Sequence, residues 1–494
     1  MIEIRIEGKK MRKRLIAALL IMLLCMGMSM TAYAVPQITP EEQPPAEATE
    51  EEAQAFKAAQ LKKYYDMPVA TNEIKGWPKG PGTYGEAAII MEAGTGAILY
   101  GKNIDDQHYP ASITKVLTAL VALENGKMDD KVTFTHDCVS FLQPGDSSIG
   151  MKENDEITLE QALYATLLAS ANEAAYAVAE NVGTNAGHDY QWFIDQMNAR
   201  CKELGGTNSN FVNANGLHDE NHYTSARDMA LIGKELFKHP EFFKIVQTLQ
   251  YEIPSSGTCQ QHVFQQKHKM LQPSSSKYYE YAVGGKTGYT SDALATLITM
   301  ADNGSMKLVC VVLRTHGGNN YPDTTNLFNY AFDNFERIDV NGQETSEDVG
   351  DILEDESGEH SGYVVVPKGV KFSDLKMEMT VDEGHTGEAV LTYTYEGNLV
   401  GSARAKLSEK YLKEHRAEIK KQEKKTKKAD ASDGKNLQQK LIVVGLAVLL
   451  LVLILLFIAK IRQYRRRLER RRRRHRRRAS QQNIAGQNPR RRKK

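Results

Sequence analysis

The 494-residue chain carries 63 Lys and Arg against 62 Asp and Glu, and its net charge of +1 conceals a segregation. Residues 460–494 hold 18 basic residues and one acidic one, residues 1–34 hold six and two, and residues 35–459 therefore carry a net −20. A chain this long can build roughly two or three domains, so disorder is excluded for its bulk. Its five cysteines, Cys25, Cys138, Cys201, Cys259 and Cys310, are too widely spaced for a disulfide-stapled small fold or a zinc or redox motif, although one or two isolated bridges stay open.

In chain order, Lys9, Lys10, Arg12, Lys13 and Arg14 precede an apolar run from Leu15 to Met28, and Ala32-Tyr33-Ala34 supplies a small-x-small cleavage pattern. Residues 1–34 thus read as a secretory signal peptide. Residues 35–74 open Pro-, Glu- and Ala-rich and are expected to be an acidic spacer. A folded region of residues 75–340 follows. Ala87–Met91 and Ala97–Tyr100 around Gly94-Thr95-Gly96 predict a hairpin, amphipathic helices run to about residue 250, and Leu294–Met300 and Leu308–Leu313 around Asn303-Gly304 predict a second hairpin. A helical pattern over Thr324–Phe335 closes the region. Strands at both ends with helices between imply an α/β domain whose sheet is at least partly antiparallel. Alternation within residues 345–407 predicts a small all-β domain, and residues 408–440 a charged stalk. Leu441–Ala459 is nineteen residues without a charge, long enough for a transmembrane helix. The Arg-rich tail 460–494 puts that end in the cytoplasm and everything from Val35 to about Lys440 outside. Juxtamembrane position accounts for the basic tail, so no nucleic-acid partner is invoked.

The pattern S-x-x-K occurs four times, at Ser112, Ser274, Ser373 and Ser432, and only the first opens a helix. Behind it Ile113, Val116, Leu117, Leu120 and Val121 keep helical spacing until Gly126. Positions i and i+3 share a helix face, so Lys115 can reach the Ser112 hydroxyl. A serine becomes a nucleophile only when a base takes its proton, and lysine is that base only when burial or a nearby cation depresses its pKa. Taken alone, the motif is equally satisfied by Ser112 as a helix cap and Lys115 as a solvated first-turn residue. Two further motifs follow in order: Ser170-Ala171-Asn172 between apolar helical stretches, and Lys286-Thr287-Gly288 before the second hairpin.

With S-x-x-K, S-x-N and K-T-G in this order the chain resembles the low-molecular-mass penicillin-binding proteins, the serine-type D-alanyl-D-alanine carboxypeptidases. Asn215-Gly216-Leu217, His222-Tyr223-Thr224 and Ala226-Arg227-Asp228 also resemble that family. The resemblance implies a β-lactamase/penicillin-binding-protein-like α/β domain, mostly antiparallel sheet flanked by helices with a helical lobe, followed by the small all-β domain and the membrane helix. It implies Ser112 as nucleophile and Lys115 as its base, with Ser170, Asn172 and Lys286 completing the catalytic set. Lys286, Thr287, Gly288 and the Tyr289 backbone N–H would bind substrate, with the Ser112 and Tyr289 N–H groups as oxyanion hole. The substrate would be peptidoglycan stem peptides ending in D-Ala-D-Ala, with β-lactams as inhibitors and neither metal nor cofactor required. His218 and His222 stand four apart as metal ligands can, but Gly216 and Asp219-Glu220-Asn221 mark a loop, not a ligating helix. One departure is plain: where many members carry a carboxylate-binding Arg, this chain reads Asn319-Asn320-Tyr321-Pro322, with Arg314 nearby but out of register. The alternatives are a β-lactamase, against which Ala171 stands where class A enzymes carry Asp, and a non-catalytic wall receptor. A transpeptidase would share all three motifs.

Overall fold

The computed structural model describes residues 38, 42–354, 362–381 and 387–416. The expected signal peptide, membrane helix 441–459 and basic tail lie outside these residues, and among the described residues no helix is long and apolar enough to cross a membrane. Where a spacer is expected, residues 50–65 form a helix instead. Its sequence shows no apolar face, but Thr49 and Glu52 close a reciprocal capping box, and Glu50–Glu52 at the start with Lys62 and Lys63 at the end match the helix dipole. Low hydrophobicity ruled out a core here without ruling out a helix.

The strands are β1 (Ala87–Glu92), β2 (Ile98–Lys102), β3 (Lys131–Thr133), β4 (Glu156–Thr158), β5 (Gln250–Ile253), β6 (His262–Gln265), β7 (Ala282–Thr290), β8 (Leu294–Asp302) and β9 (Lys307–Thr315). Five of them form one antiparallel sheet in the order β2-β1-β9-β8-β7. The expected hairpins are β1–β2 and β8–β9, while β7, the strand carrying Lys286-Thr287-Gly288, is too Gly-rich to announce itself. Strand β9 is buried on both faces, which is why it reads as an unbroken apolar run rather than an alternation. On one face Val309 meets the Ala226–Leu236 helix at Gly233, where an added Cβ would lie 2.7 Å from a Val309 methyl carbon. On the other, Cys310 lies against Thr324 of the Asn320–Asn334 helix.

That last helix begins four residues before the expected Thr324, so Asn320-Tyr321-Pro322 are its first turn. Pro322 is tolerated there because the first N–H groups of a helix have no intrahelical acceptor. The helical lobe is built around the Lys115–Asn125 helix, in which Lys115 through Ala122 are all buried. A helix apolar on every side must lie inside the lobe. The four described cysteines Cys138, Cys201, Cys259 and Cys310 are buried and free, so no bridge joins them.

A second antiparallel sheet begins ten residues earlier than the expected 345, with β10 (Phe335–Asp339), β11 (Val349–Ile352), β12 (Gly362–Pro367), β13 (Lys376–Val381), β14 (Glu388–Tyr395) and β15 (Asn398–Leu407). Its main path runs β10-β12-β15-β14-β13. The chain divides into two compact units, one taking in residues up to Thr345, Ile352–Met379 and Val390–Arg404, the other Ser346–Asp351, Thr380–Ala389 and residues from Ala405. Within the first, Trp77 packs edge-on to Phe335 and the Tyr363 hydroxyl donates to Glu92 at 2.8 Å. Within the second, Ser408 caps the Glu409–Glu414 helix.

Candidate active site

Ser112 lies in a single 3-10 turn, Ala111–Thr114, that runs directly into the Lys115–Asn125 helix. Two glycines hold this turn from outside, because each approaches where no side chain fits. A Cβ on Gly216, whose φ is +79°, would stand 2.0 Å from the Ala111 carbonyl oxygen, and one on Gly288 would stand 3.0 Å from the Ser112 nitrogen and 2.3 Å from Thr296 Oγ1. The K-T-G strand is thereby pressed against the backbone of Ser112. Ala111 itself is held at φ +52°, a left-handed conformation that a non-Gly residue adopts only under strong local constraint.

Lys115 is fully buried, and its Nζ reaches Ser112 Oγ at 3.0 Å, Asn172 Oδ1 at 2.8 Å and the Asn215 carbonyl. Burial drives its pKa well below the ordinary lysine value, and the Lys286 cation pushes the same way. A neutral amine has two N–H donors, which the two fixed acceptors Asn172 Oδ1 and Asn215 O consume. Its lone pair is then left facing the Ser112 hydroxyl, the arrangement a general base needs.

Ser170 ends a π-helical turn, Ala165–Ala169, and sits at φ 62°, ψ 28°. That left-handed residue stops one helix and lets the next start at Asn172, so Ser170 and Asn172 both face inward from adjoining helix ends. Lys286 is 2% exposed and donates to Ser170 Oγ at 2.9 Å and to the Thr287 carbonyl at 2.8 Å. Burial brings its pKa down to about 7, with a lesser contribution from the Lys267 cation. All three sequence motifs therefore converge: Lys115 joins Ser112 to Asn172, and Lys286 joins Ser170 to the K-T-G strand. The Tyr289 side chain is 71% exposed, pairing through its strand with Ala295 of β8.

Four participants lie outside the three motifs. The Asn215 carbonyl fixes Lys115, and the Asn215-Gly216 pair was a legible signal for it. Glu173, fully buried one residue beyond S-x-N, accepts from Ser148 Oγ at 2.7 Å and from the Ile149 and Gly150 N–H groups at 2.8 and 3.2 Å, tying down the neighbouring loop. Thr296 Oγ1 donates to the Pro110 carbonyl at 2.8 Å just before Ser112. Lys267, from a loop without periodicity, adds a third lysine and reaches Ser147 Oγ at 3.3 Å.

His222 is 1% exposed and works as a structural link. Its Nδ1 accepts from the Val212 N–H, so Nε2 carries the proton and donates at 2.8 Å to Thr114 Oγ1, which donates to the Ala111 carbonyl. His218 instead sits edge-on to Tyr109. Arg314 does not fill the place of the carboxylate-binding Arg. It is 4% exposed and paired with Glu86 at 3.2 Å.

Residues 78–317 match the family model for D-alanyl-D-alanine carboxypeptidases. The chain is 33% identical over 261 residues to the D-alanyl-D-alanine carboxypeptidase DacF of Bacillus subtilis, a match covering 51% of this chain and 63% of that one. It is 32% identical to DacB2 of Mycobacterium tuberculosis, over 52% of this chain and 84% of that one. It is 30% identical to DacA of Haemophilus influenzae, over 58% and 73%. Among solved structures, the Streptomyces K15 DD-transpeptidase is 27% identical, aligned over 52% of this chain and all of that one with a TM-score of 0.48.

Proposed function

This chain belongs to the D-alanyl-D-alanine carboxypeptidase family, and from that premise we propose that it removes the terminal D-alanine from peptidoglycan stem peptides through an acyl-enzyme on Ser112. The observation that carries this reading is the hydrogen-bond count at Lys115: two acceptors are fixed by the fold, and the third neighbour is the nucleophile.

In the proposed reaction Ser112 Oγ attacks the carbonyl between the two D-alanines while Lys115 takes its proton. The Ser112 and Tyr289 N–H groups hold the oxyanion, a role supported by the close approach of β7 to Ser112 at Gly288. Ser170, donated to by Lys286, passes a proton to the leaving nitrogen and is resupplied with the proton that Lys115 took from Ser112, so that Lys115 is neutral again for the next step. The Asn172 oxygen is engaged by Lys115, which leaves its amide N–H groups to orient the acyl chain. Lys286 and Thr287 meet the terminal carboxylate, and water, activated by Lys115, then hydrolyses the ester. β-Lactams acylate the same serine.

The proposal extends to location. The signal-like residues 1–34, the apolar run Leu441–Ala459 and the Arg-rich tail support a catalytic domain held outside the plasma membrane by one C-terminal span, with the tail on anionic headgroups. Fractionation of cells expressing the full chain, with and without residues 441–494, tests this: the chain should leave the membrane fraction only when the run is deleted. The activity is tested by D-alanine release from a short peptide ending in D-Ala-D-Ala, using the detergent-solubilised full chain with Ser112→Ala as blank. Release by the wild type alone supports the reading, and a folded wild type that releases none refutes it.

A further inference from the structure

Away from the catalytic residues, the fold brings together three side chains that no single stretch of sequence contains. Asp155, in the turn before β4, meets Cys259 and His262 from the β5–β6 hairpin, and one ligand-type atom from each lies within 4.8 Å of the other two. Cys259 is 6% exposed. The backbone has already oriented each group. His262 Nδ1 stands 2.8 Å from the Ile149 carbonyl, which fixes that nitrogen as the N–H donor and leaves Nε2 a bare lone pair. That Nε2 is buried without a hydrogen-bond partner. A buried imidazole nitrogen without a partner is costly, so its persistence needs a reason. Metal-ligating histidines characteristically donate their second ring nitrogen to a carbonyl in this way. One Asp155 oxygen accepts the Lys152 N–H at 2.8 Å, steering the carboxylate, and among the described residues no Lys or Arg pairs with it. The contrasting group is Glu124, Glu235 and His239, where Arg200 already supplies the cation, at 2.8 Å from Glu124 and 2.7 Å from Glu235.

We propose that Asp155, Cys259 and His262 form a site for one divalent ion of the zinc class, with water as fourth ligand. One thiolate, one imidazole and one carboxylate suit a borderline-soft, tetrahedral ion, whereas calcium and magnesium take oxygen ligands. Bonds of about 2.0–2.3 Å place tetrahedral ligands roughly 3.3–3.8 Å apart, so the side chains need to close by about 1 Å. The ion would pin the β5–β6 hairpin to the 149–155 turn. Both border a cleft of about 640 Å³ lined by Ser148, Ile149, Ala169, His262 and Lys267, next to Ser170. The site is a clamp on the wall of this cleft and takes no part in acyl transfer.

The test uses the full chain in detergent, stripped with chelator and titrated with Co²⁺ alone, then with Zn²⁺. The expected result is one equivalent bound, with thiolate-to-cobalt charge-transfer absorption and tetrahedral visible bands that Zn²⁺ abolishes. Cys259→Ser should remove the charge-transfer band. His262→Ala should weaken binding by more than the roughly 10–100-fold that loss of an outer-shell partner causes. Hydrogen exchange in residues 254–261 should slow on Zn²⁺ addition to the wild type. Should the variants fail to fold, X-ray absorption at the zinc edge of the wild type decides: a shell of one sulfur with nitrogen and oxygen supports the site, and a shell without sulfur overturns it. Failure of the wild type to bind Co²⁺ stoichiometrically, or a charge-transfer band that survives in folded Cys259→Ser, also overturns it.

Discussion

Replacing Lys286 by Met should make the protein more stable and inactive. Lys286 is 2% exposed, and its pKa falls from the ordinary 10.5 to about 7, chiefly because burial disfavours its charge. That gap of about 3.5 units, at roughly 1.36 kcal/mol each, means that keeping the ammonium buried costs up to about 5 kcal/mol. Between pH 7 and 10.5 the unfolded chain holds a proton that the folded chain has released, so stability should rise with pH across this window. Below pH 7 both states are protonated and the full cost applies. Methionine fills a similar volume without charge, but leaves Ser170 Oγ and the Thr287 carbonyl without their donor, at about 1 kcal/mol each. The net expectation at pH 7 is a gain of about 3 kcal/mol, shrinking as the pH approaches 10. Urea unfolding of both proteins at pH 7, 8.5 and 10 measures it. Loss of the Lys286 cation also lets the Lys115 pKa rise, so any residual β-lactam acylation by the variant should require higher pH than in the wild type. If Lys286→Met is no more stable at pH 7 and the stability difference is flat with pH, the buried-charge account of this site is wrong.

Gly288→Ala should lower β-lactam acylation about 100-fold, because its Cβ would meet Thr296 Oγ1 at 2.3 Å and push β7 off Ser112. Partial recovery in Gly288→Ala with Thr296→Ala would locate the cause, and an unaffected single variant would refute it. Arg314→Ala should destabilise the fold by about 1–3 kcal/mol in denaturant titration, by leaving partly buried Glu86 without its cation, while KM for a D-Ala-D-Ala peptide stays unchanged. A raised KM without loss of stability would return Arg314 to the substrate site. Acid should unfold the protein early. Burial depresses His108 and His222 to about 3 and His268 to about 4, so below pH 6.5 the unfolded chain takes up protons the folded chain refuses, and stability falls with pH down to those values. Urea midpoints at pH 7, 6 and 5 should fall accordingly, less steeply in His222→Gln.

Much of the candidate site was legible because its motifs are local chemistry. Ser112 and Lys115 share a turn, and the apolar spacing behind them marks the helix that must be buried. The hairpins of β1–β2 and β8–β9 were equally legible, since Gly94-Thr95-Gly96 and Asn303-Gly304 supply the conformations their turns demand. The Glu50–Tyr65 helix was missed because capping and dipole terms, not an apolar face, favour it. Strand β7 was missed because its glycines serve close approach to Ser112 at the expense of strand propensity.

What sequence could not determine is which distant groups meet. Lys115 and the Asn215 carbonyl are 100 residues apart, Lys286 and Ser170 are 116, and Asp155 reaches Cys259 and His262 across more than a hundred. Arg314, out of register with the family's carboxylate-binding Arg in the sequence, has a partner in Glu86 that only packing supplies. Local patterns encode φ, ψ and which face is apolar, and a chain of side chains on one turn is fixed by those alone. Contacts at long range are set by the summed packing of sheet and helices, so the depressed lysine pKa values, the left-handed turn at Ser170 and the assembled Asp-Cys-His group exist only once the whole fold has closed around them.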